Sequence, residues 1–151
     1  MKTKIVQLFI VVLKAILKCI YSILKLLPVK ENKILFCSRQ SNDIPLDFKL
    51  LKEELDRRDS CMEYAVICRN IGHGLKDYMI FFNLLLKSMY HLATSRICVL
   101  DSYWPAVSLL NHKRELTVIQ IWHAIGKIKK SGHASVGTKS GRSGSYARML
   151  N

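Results

Sequence analysis

The sequence has few cysteines and no pair of them at the spacing of a metal or redox site. Its five cysteines are odd in number and none forms a C-x-x-C pair, which argues against a disulfide scaffold and against zinc. Cys37, Cys68 and Cys98 lie in or at the end of apolar runs, where a free thiol behaves as a small hydrophobic side chain. We therefore expect reduced, buried thiols in a cytosolic domain and no metal site.

Acidic residues are missing from both ends of the chain. Residues 1–30 carry six lysines and residues 116–151 carry six lysines and arginines, and neither segment contains an aspartate or glutamate. The central residues 31–115 hold the other twelve cations and all eleven acids. The two ends therefore carry +12 of the net charge of +13, and each end needs its own explanation.

The apolar N-terminal segment Ile5–Leu27 lacks the small-residue cleavage site that a signal peptide needs. Its 23 residues are long enough for a span, because a rise of 1.5 Å per residue gives about 34 Å. Lys14 and Lys18 would then lie near the bilayer centre, at a cost of about 3 kcal/mol each. An interfacial helix, a transmembrane span and a helix packed on the core or on a partner remain as alternatives.

Helical geometry favours the interfacial alternative. At about 100° per residue, Gln7, Lys14, Lys18 and Lys25 fall within about 40° of one another, and aliphatic side chains cover most of the remaining circumference. One narrow cationic stripe on a broad apolar surface is typical of a helix that lies in the membrane interface. We predict such a helix over residues 1–28, with its lysines at anionic lipid head groups.

From residue 32 onward, short apolar runs alternate with amphipathic segments. Strands are predicted over Lys33–Cys37, Tyr64–Cys68, Ile97–Leu100 and Leu116–Trp122. Helices are predicted over Pro45–Arg58 and Leu75–Ala93, with a short helical turn after Pro105. This alternation predicts an α/β domain over residues 32–151, built on a doubly wound, Rossmann-like parallel sheet.

Polar residues follow three of the predicted strands, where the chemistry of such sheets gathers. These strand ends are Ser38-Arg39, Asp101-Ser102-Tyr103 and Trp122-His123-Ala124. His123 is the most informative, because the basic, glycine-flanked segment GKIKKSG follows it closely. An imidazole accepts a proton near neutral pH, and lysines with backbone N–H groups hold phosphate, so the pattern indicates phosphoryl chemistry or binding of an anionic polymer. The alternative is a structural histidine beside a solvated basic loop.

Three segments carry a family resemblance. They are NKILFCSRQS (Asn32–Ser41), YHLATSRICVLDS (Tyr90–Ser102) and VIQIWHAIGKIKKSG (Val118–Gly132). Together they resemble the CDP-glycerol:glycerophosphate glycerophosphotransferase family of teichoic acid synthesis, over roughly residues 32–151. The W-H-A…K-K-x-G portion is the most specific part of the likeness.

The resemblance implies a GT-B-like fold of two Rossmann-type domains in a peripheral protein on the cytoplasmic side of the cell membrane. It implies transfer of glycerol phosphate, or of ribitol phosphate in close relatives, from a CDP-polyol to a lipid-linked acceptor in cell-wall synthesis. No cofactor is implied beyond the CDP-glycerol donor. By resemblance His123 is the catalytic base, and the phosphate- and acceptor-binding residues are Lys127, Lys129, Lys130 and Arg142.

The family binds its nucleotide donor mainly through a C-terminal domain, and this sequence contains no counterpart of it. We therefore expect residues 32–151 to be the acceptor-side domain of an incomplete enzyme, a fragment or a frame-shifted product, which is inactive by itself. A non-catalytic module that binds membranes or polyanions is the alternative. Nucleic acid is not an expected partner, because the basic loops lack interleaved aromatic residues.

Overall fold

The computed structural model describes residues 2–70, 72 and 74–121, with residues 2–10 and Leu75 described through their backbone alone. A long helix is followed by alternating strands and helices. In chain order, the elements are α1 (Lys2–Leu24), β1 (Lys30–Ser38), α2 (Leu46–Arg58), β2 (Glu63–Cys68), α3 (Leu75–Thr94), β3 (Ser95–Leu100), α4 (Pro105–Leu109) and β4 (Thr117–Gln120). They belong to one compact unit that ends at Ile121.

The strands form a four-stranded sheet in the order β2-β1-β3-β4, and every pairing is parallel. On β1, Leu35 aligns with Ala65 of β2 on one side and with Cys98 of β3 on the other. At the far edge, Val99 of β3 aligns with Ile119 of β4. The described residues thus confirm the α/β class and the Rossmann-like parallel sheet that the hydrophobic pattern predicts.

The observed elements differ from the predicted ones mainly in β1 and β4. β1 begins at Lys30 instead of Lys33, because Lys30 pairs with Ser95 ahead of a register shift. β4 covers a shorter stretch than predicted, because the Leu116 N–H closes a turn on the Lys113 carbonyl and so stays outside the strand. β4 is also exposed along its length rather than buried, since within the described residues it has only β3 as a neighbour.

Alternate side chains of the central strands pack into two separate hydrophobic cores, one on each face of the sheet. Leu35 and Cys37 of β1 point to the face that α3 covers with Met89 and Leu92. Ile34 and Phe36 point to the opposite face, which α2 covers with Phe48. Because both faces are buried, the strands read as continuous apolar runs, which makes them recognisable in the sequence.

α1 shares the core on the α3 side. Leu17 and Tyr21 are 5% and 1% exposed and belong to the same apolar cluster as Met89. The Tyr21 hydroxyl lies 2.7 Å from Nδ1 of His112, and Nε2 of His112 lies 2.8 Å from the Val107 carbonyl oxygen. The second of these contacts needs the hydrogen on Nε2, so Nδ1 accepts from tyrosine. This contact fastens the helix to the segment that follows α4.

The opposite arc of α1 is apolar and exposed. Its described members with large exposed side chains are Val11, Val12, Ile16 and Ile23, and Leu26 and Leu27 follow the helix. This set, which we call the outer arc, contrasts with the arc that meets the domain through Leu17. One part of the apolar surface of the predicted interfacial helix therefore packs on the core, and the other part is exposed. Within the range that the structure describes, no helix meets the length and hydropathy needed to cross a bilayer.

Candidate functional site

The order of the strands places a topological switch point between β1 and β3. From β1 the chain moves outward to β2, then returns across β1 to form β3 and continues to β4 on the other side. The loops that follow β1 and β3 therefore run to opposite faces of the sheet and leave a crevice at the carboxyl edge. In open α/β sheets this crevice is the usual ligand site.

A buried hydrogen bond joins the two strand ends next to this crevice. The Ser38 hydroxyl at the end of β1 donates to Oδ2 of Asp101, which follows β3, over 2.6 Å. Both side chains are almost wholly buried, and the Gln40 N–H donates to Ser38 Oγ at 3.2 Å. A charge-assisted bond of this kind holds the two strand ends at a fixed separation.

Further hydrogen bonds position the loops at the rim. The Arg39 N–H donates to Ser102 Oγ at 3.0 Å, which connects the loops after β1 and β3. The Asn70 N–H donates to Oδ1 of Asn42 at 3.0 Å, which brings the loop after β2 to the same edge. The result is an open crevice of about 280 Å³, here called the switch-point crevice, lined by Arg39, Gln40, Asn70, Ser102 and Tyr103.

Arg39 gives the crevice its positive charge. Its guanidinium carbon lies 5.7 Å from the ring centre of Phe81 on α3, a cation–π distance that orients the side chain. The ion pairs of the described residues use other cations, such as Lys52 with Asp56 and Arg96 with Glu31. The arginine is therefore available for an anion, beside amide and hydroxyl groups that suit hydroxylated ligands.

The cysteines close to the crevice are unsuited to nucleophilic chemistry. Burial, followed by the charge of Asp101, raises the pKa of Cys68 to about 11. Burial also raises the pKa of Cys37 well above its usual range. Because a thiol attacks as its thiolate, both side chains stay inert near neutral pH.

The sequence predicted two of these strand ends correctly. Ser38-Arg39 and Asp101-Ser102-Tyr103 meet at one edge, because parallel strands in register end together. Gln40 and Asn70 were missed, and the signal for Asn70 was its position just after the second predicted strand. Among the residues described, no cluster of three or more histidine, cysteine or acidic side chains could hold a metal ion.

Other predicted residues lie outside the described part of the chain. His123 belongs to this group, as does the strand end Trp122-His123-Ala124 that contains it. The predicted phosphate-binding cations belong to it as well, namely Lys127, Lys129, Lys130 and Arg142. Their roles stay predictions.

The three lysines predicted to meet a membrane flank the arc of α1 that contacts the domain. Lys18 is exposed, whereas Lys14 and Lys25 are half-buried. Lys14 lies beside Leu17 near α3 and α4, and the Lys25 ammonium lies 6.0 Å from the ring centre of Tyr21. The stripe therefore runs between the core-facing arc and the outer arc of the helix.

Known proteins resemble this chain over most of its length. The teichoic acid poly(ribitol-phosphate) polymerase of Bacillus spizizenii is 30% identical over 123 residues, which are 82% of this chain and 19% of that protein. The teichoic acid ribitol-phosphate primase of the same organism is 29% identical over 140 residues, 92% of this chain and 36% of that protein. The teichoic acid glycerol-phosphate primase of Bacillus subtilis is 38% identical over 48 residues, 32% of this chain and 13% of that protein.

This chain therefore spans little more than a third of the length of the ribitol-phosphate primase and less of the other two relatives. The sequence pattern of one protein family also matches the chain. The match extends over residues 19–150 and so includes every element from the last residues of α1 to β4. On that match, the chain belongs to the CDP-Glycerol:Poly(glycerophosphate) glycerophosphotransferase family.

Proposed function

We propose that this chain provides the acceptor-side domain of an enzyme that transfers a polyol phosphate from a CDP-polyol to a lipid-linked acceptor in teichoic acid synthesis. The observation that carries the proposal is the family match over residues 19–150. The switch-point crevice supports it, because a cationic, hydroxyl-lined cleft at a parallel sheet edge suits a phosphorylated polyol. A second Rossmann-type domain, in a GT-B arrangement, would bind the nucleotide.

The transferred group in this proposal is ribitol phosphate, with glycerol phosphate as the second candidate. The resemblance alone favoured glycerol. The Bacillus spizizenii polymerase and primase each match more than four-fifths of this chain and are named for ribitol phosphate, whereas the glycerol-phosphate primase matches only about a third of it. The name of the family describes glycerol phosphate, which is why glycerol phosphate is the second candidate.

In the proposed reaction, His123 is the general base. The terminal hydroxyl of the acceptor gives its proton to the imidazole while its oxygen attacks the β-phosphorus of the donor. A new oxygen–phosphorus bond forms, the bond to the CMP oxygen breaks, and CMP leaves. The cations near His123 in sequence would neutralise the charge that develops on the phosphoryl oxygens, and they are Lys127, Lys129, Lys130 and Arg142.

A chimera tests this proposal. Residues 19–150 replace the matching segment of the Bacillus spizizenii ribitol-phosphate primase, and transfer from CDP-ribitol and from CDP-glycerol is measured with a lipid-linked acceptor. We expect turnover with CDP-ribitol, because the primase contributes the donor-binding domain of the chimera. We expect a loss of at least about a hundredfold in His123→Ala, the usual size of general base catalysis. The matched control is His133→Ala, a histidine in the same basic segment, which should keep its rate.

Two results would count against the proposal. A folded chimera without turnover on either donor would favour the non-catalytic binding module. A His123→Ala chimera that retains its rate would remove the base assignment and leave the transferase assignment standing.

We also propose that α1 binds the cytoplasmic surface of the cell membrane peripherally. The outer arc would enter the boundary between head groups and acyl chains, and Lys18 beside it would meet anionic lipid. The absence of acids from residues 1–30 supports an anionic surface as the partner. The contacts of Leu17 and Tyr21 would stay intact, because they use the other side of the helix.

Binding to vesicles tests this assignment. One charge near an anionic surface contributes about 1 kcal/mol, so Lys18→Gln should weaken binding to phosphatidylserine vesicles about fivefold and leave binding to neutral vesicles unchanged. Ile23→Ser, in the outer arc, should weaken both. Lys49→Gln, an exposed lysine on α2, is the control for a general charge effect. Equal losses for the two lysine variants would contradict the proposed orientation.

A further inference from the structure

The switch-point crevice carries one cationic side chain among its lining residues. Arg39 is oriented by Phe81, and its backbone is fixed by the bond from its N–H to Ser102 Oγ. A planar guanidinium held in this way forms two parallel hydrogen bonds to a phosphate group with little loss of side-chain freedom. A single arginine matches the single negative charge of a phosphodiester better than the two or more charges of a nucleoside diphosphate.

The remaining groups suit hydroxylated carbons on either side of such a phosphate. The Gln40 and Asn70 side-chain amides each offer a donor and an acceptor at the rim. Ser102 accepts the Arg39 N–H, so its own hydroxyl hydrogen remains able to donate. The crevice is open to solvent, which leaves room for a polymer to continue beyond the site.

We propose that the switch-point crevice binds a phosphodiester of the polyol phosphate chain, with the phosphate on Arg39 and the neighbouring hydroxyl groups on Asn70 and Ser102. This inference rests on the proposed function and assigns the acceptor chain, not the nucleotide donor, to this edge of the sheet. Asp101 takes no direct part, because it is buried and is not among the residues that line the crevice. Its role is to hold the ends of β1 and β3 at a fixed separation, which sets the distance between Arg39 and Ser102 in the crevice.

The test uses the full chain, labelled with nitrogen-15, in zwitterionic detergent micelles. Glycerophosphoglycerol, a single phosphodiester between two glycerols, is added while the backbone amide signals are recorded. We expect saturable shifts at Arg39, Gln40, Asn70 and Ser102. Arg39→Gln should weaken binding by about tenfold or more, since it removes a charge-assisted pair. Arg114→Gln, an exposed arginine between α4 and β4, should leave the affinity unchanged.

Each other outcome would overturn the proposal. Shifts that avoid these amides, or equal losses in the two arginine variants, would show that the charge of the chain acts without a site. Inorganic phosphate that binds as tightly as the diester would remove the role of the hydroxyl groups. CMP that saturates the same amides at lower concentration would assign the crevice to the nucleotide.

The binding measurement is independent of turnover, so the two proposals fail separately. A chimera without transfer activity, together with intact binding of the diester by this chain, would refute the proposed function alone. An active chimera in which Arg39→Gln changes neither the diester affinity nor the KM for the acceptor would refute the crevice assignment alone.

Discussion

Replacing Tyr21 by phenylalanine removes a single oxygen atom from one of the most deeply buried side chains of α1. That oxygen donates to Nδ1 of His112 over 2.7 Å, across 91 positions of the chain. The loss of one neutral hydrogen bond costs about 1 kcal/mol, and a half-buried nitrogen left without its donor adds to that cost. We expect Tyr21→Phe to lower the free energy of unfolding by about 1.5 kcal/mol.

Urea unfolding followed by circular dichroism measures this difference. The midpoint should fall while the slope stays the same, because the surface exposed on unfolding does not change. Tyr78→Phe is the matched control, since Tyr78 lies exposed on α3 and its substitution should cost less than about 0.5 kcal/mol. In a double-mutant cycle with His112→Leu, the coupling energy should be about 1 kcal/mol.

Acidity provides a second check on the same contact. Burial lowers the pKa of His112, so the folded state favours the neutral ring that accepts from Tyr21. The coupling should be fully present above the unfolded pKa of about 6.5 and disappear as the pH falls through the lower folded value. A coupling energy near zero at pH 8, or a Tyr21→Phe protein as stable as Tyr78→Phe, would refute the idea that this bond fastens α1 to the domain.

Three other substitutions test separate parts of the structure by the same unfolding measurement. Leu17→Ala should cost about 2–4 kcal/mol, whereas its exposed neighbour Ile16→Ala should cost less than about 0.5 kcal/mol; equal costs would mean that α1 does not pack as described. Ser38→Ala should cost about 2 kcal/mol, because the buried carboxylate of Asp101 loses the bond from this hydroxyl, and a neutral result would contradict the role of that bond in holding the two strand ends together. Burial, followed by the charges of nearby lysines, lowers the pKa of His91 to about 4. Stability should therefore fall by about 1–2 kcal/mol, after allowance for solvent screening, as the pH drops from about 6.5 to about 4, and His91→Gln should abolish that part of the pH dependence.

The sequence predicts the sheet well because the strands are buried on both faces. The run around Leu35 is continuously apolar, without the alternation of apolar and polar residues that marks a half-exposed strand. Charged segments separate it from the next apolar run. Strand ends follow from the same pattern, since parallel strands finish at one edge. The hydrophobic pattern therefore predicts that Ser38 and Asp101 lie at the same edge of the sheet, whereas their contact depends on the adjacency of β1 and β3, which the pattern does not give.

Contacts between distant segments were beyond the reach of the sequence pattern. The lysine stripe of α1 indicates where charge lies, but both sides of the remaining circumference are apolar, and nothing local distinguishes the arc with Leu17 from the arc with Ile16. The Tyr21–His112 hydrogen bond joins two residues that are far apart in the chain, and the local sequence around neither of them indicates the contact. The rim of the crevice depends in the same way on a bond between two loops, from the Asn70 N–H to Asn42.

Lys33 shows a further gap between pattern and structure. As the first residue of a predicted strand it would ordinarily extend into solvent, yet it is 2% exposed. Its ammonium donates to Thr94 Oγ1 at 3.0 Å and lies 5.1 Å from the ring centre of Tyr90. Burial lowers its pKa, although the nearby Glu63 opposes the shift. The buried charge is tolerated because residues from α3 and β2 surround it. The sequence of β1 alone contains no sign of these neighbours.

The way α1 joins the domain limits how the protein can be oriented at any surface that it meets. A flexible linker between the helix and the domain would let the domain rotate freely relative to the helix. Here Leu17 and Tyr21 of α1 are instead embedded in the same core as the sheet. The tilt of the outer arc is thereby coupled to the direction in which the switch-point crevice opens. If the outer arc bound a bilayer, the crevice would open at a fixed angle to the membrane. Its height and direction would then limit which part of a membrane-linked chain could enter the crevice.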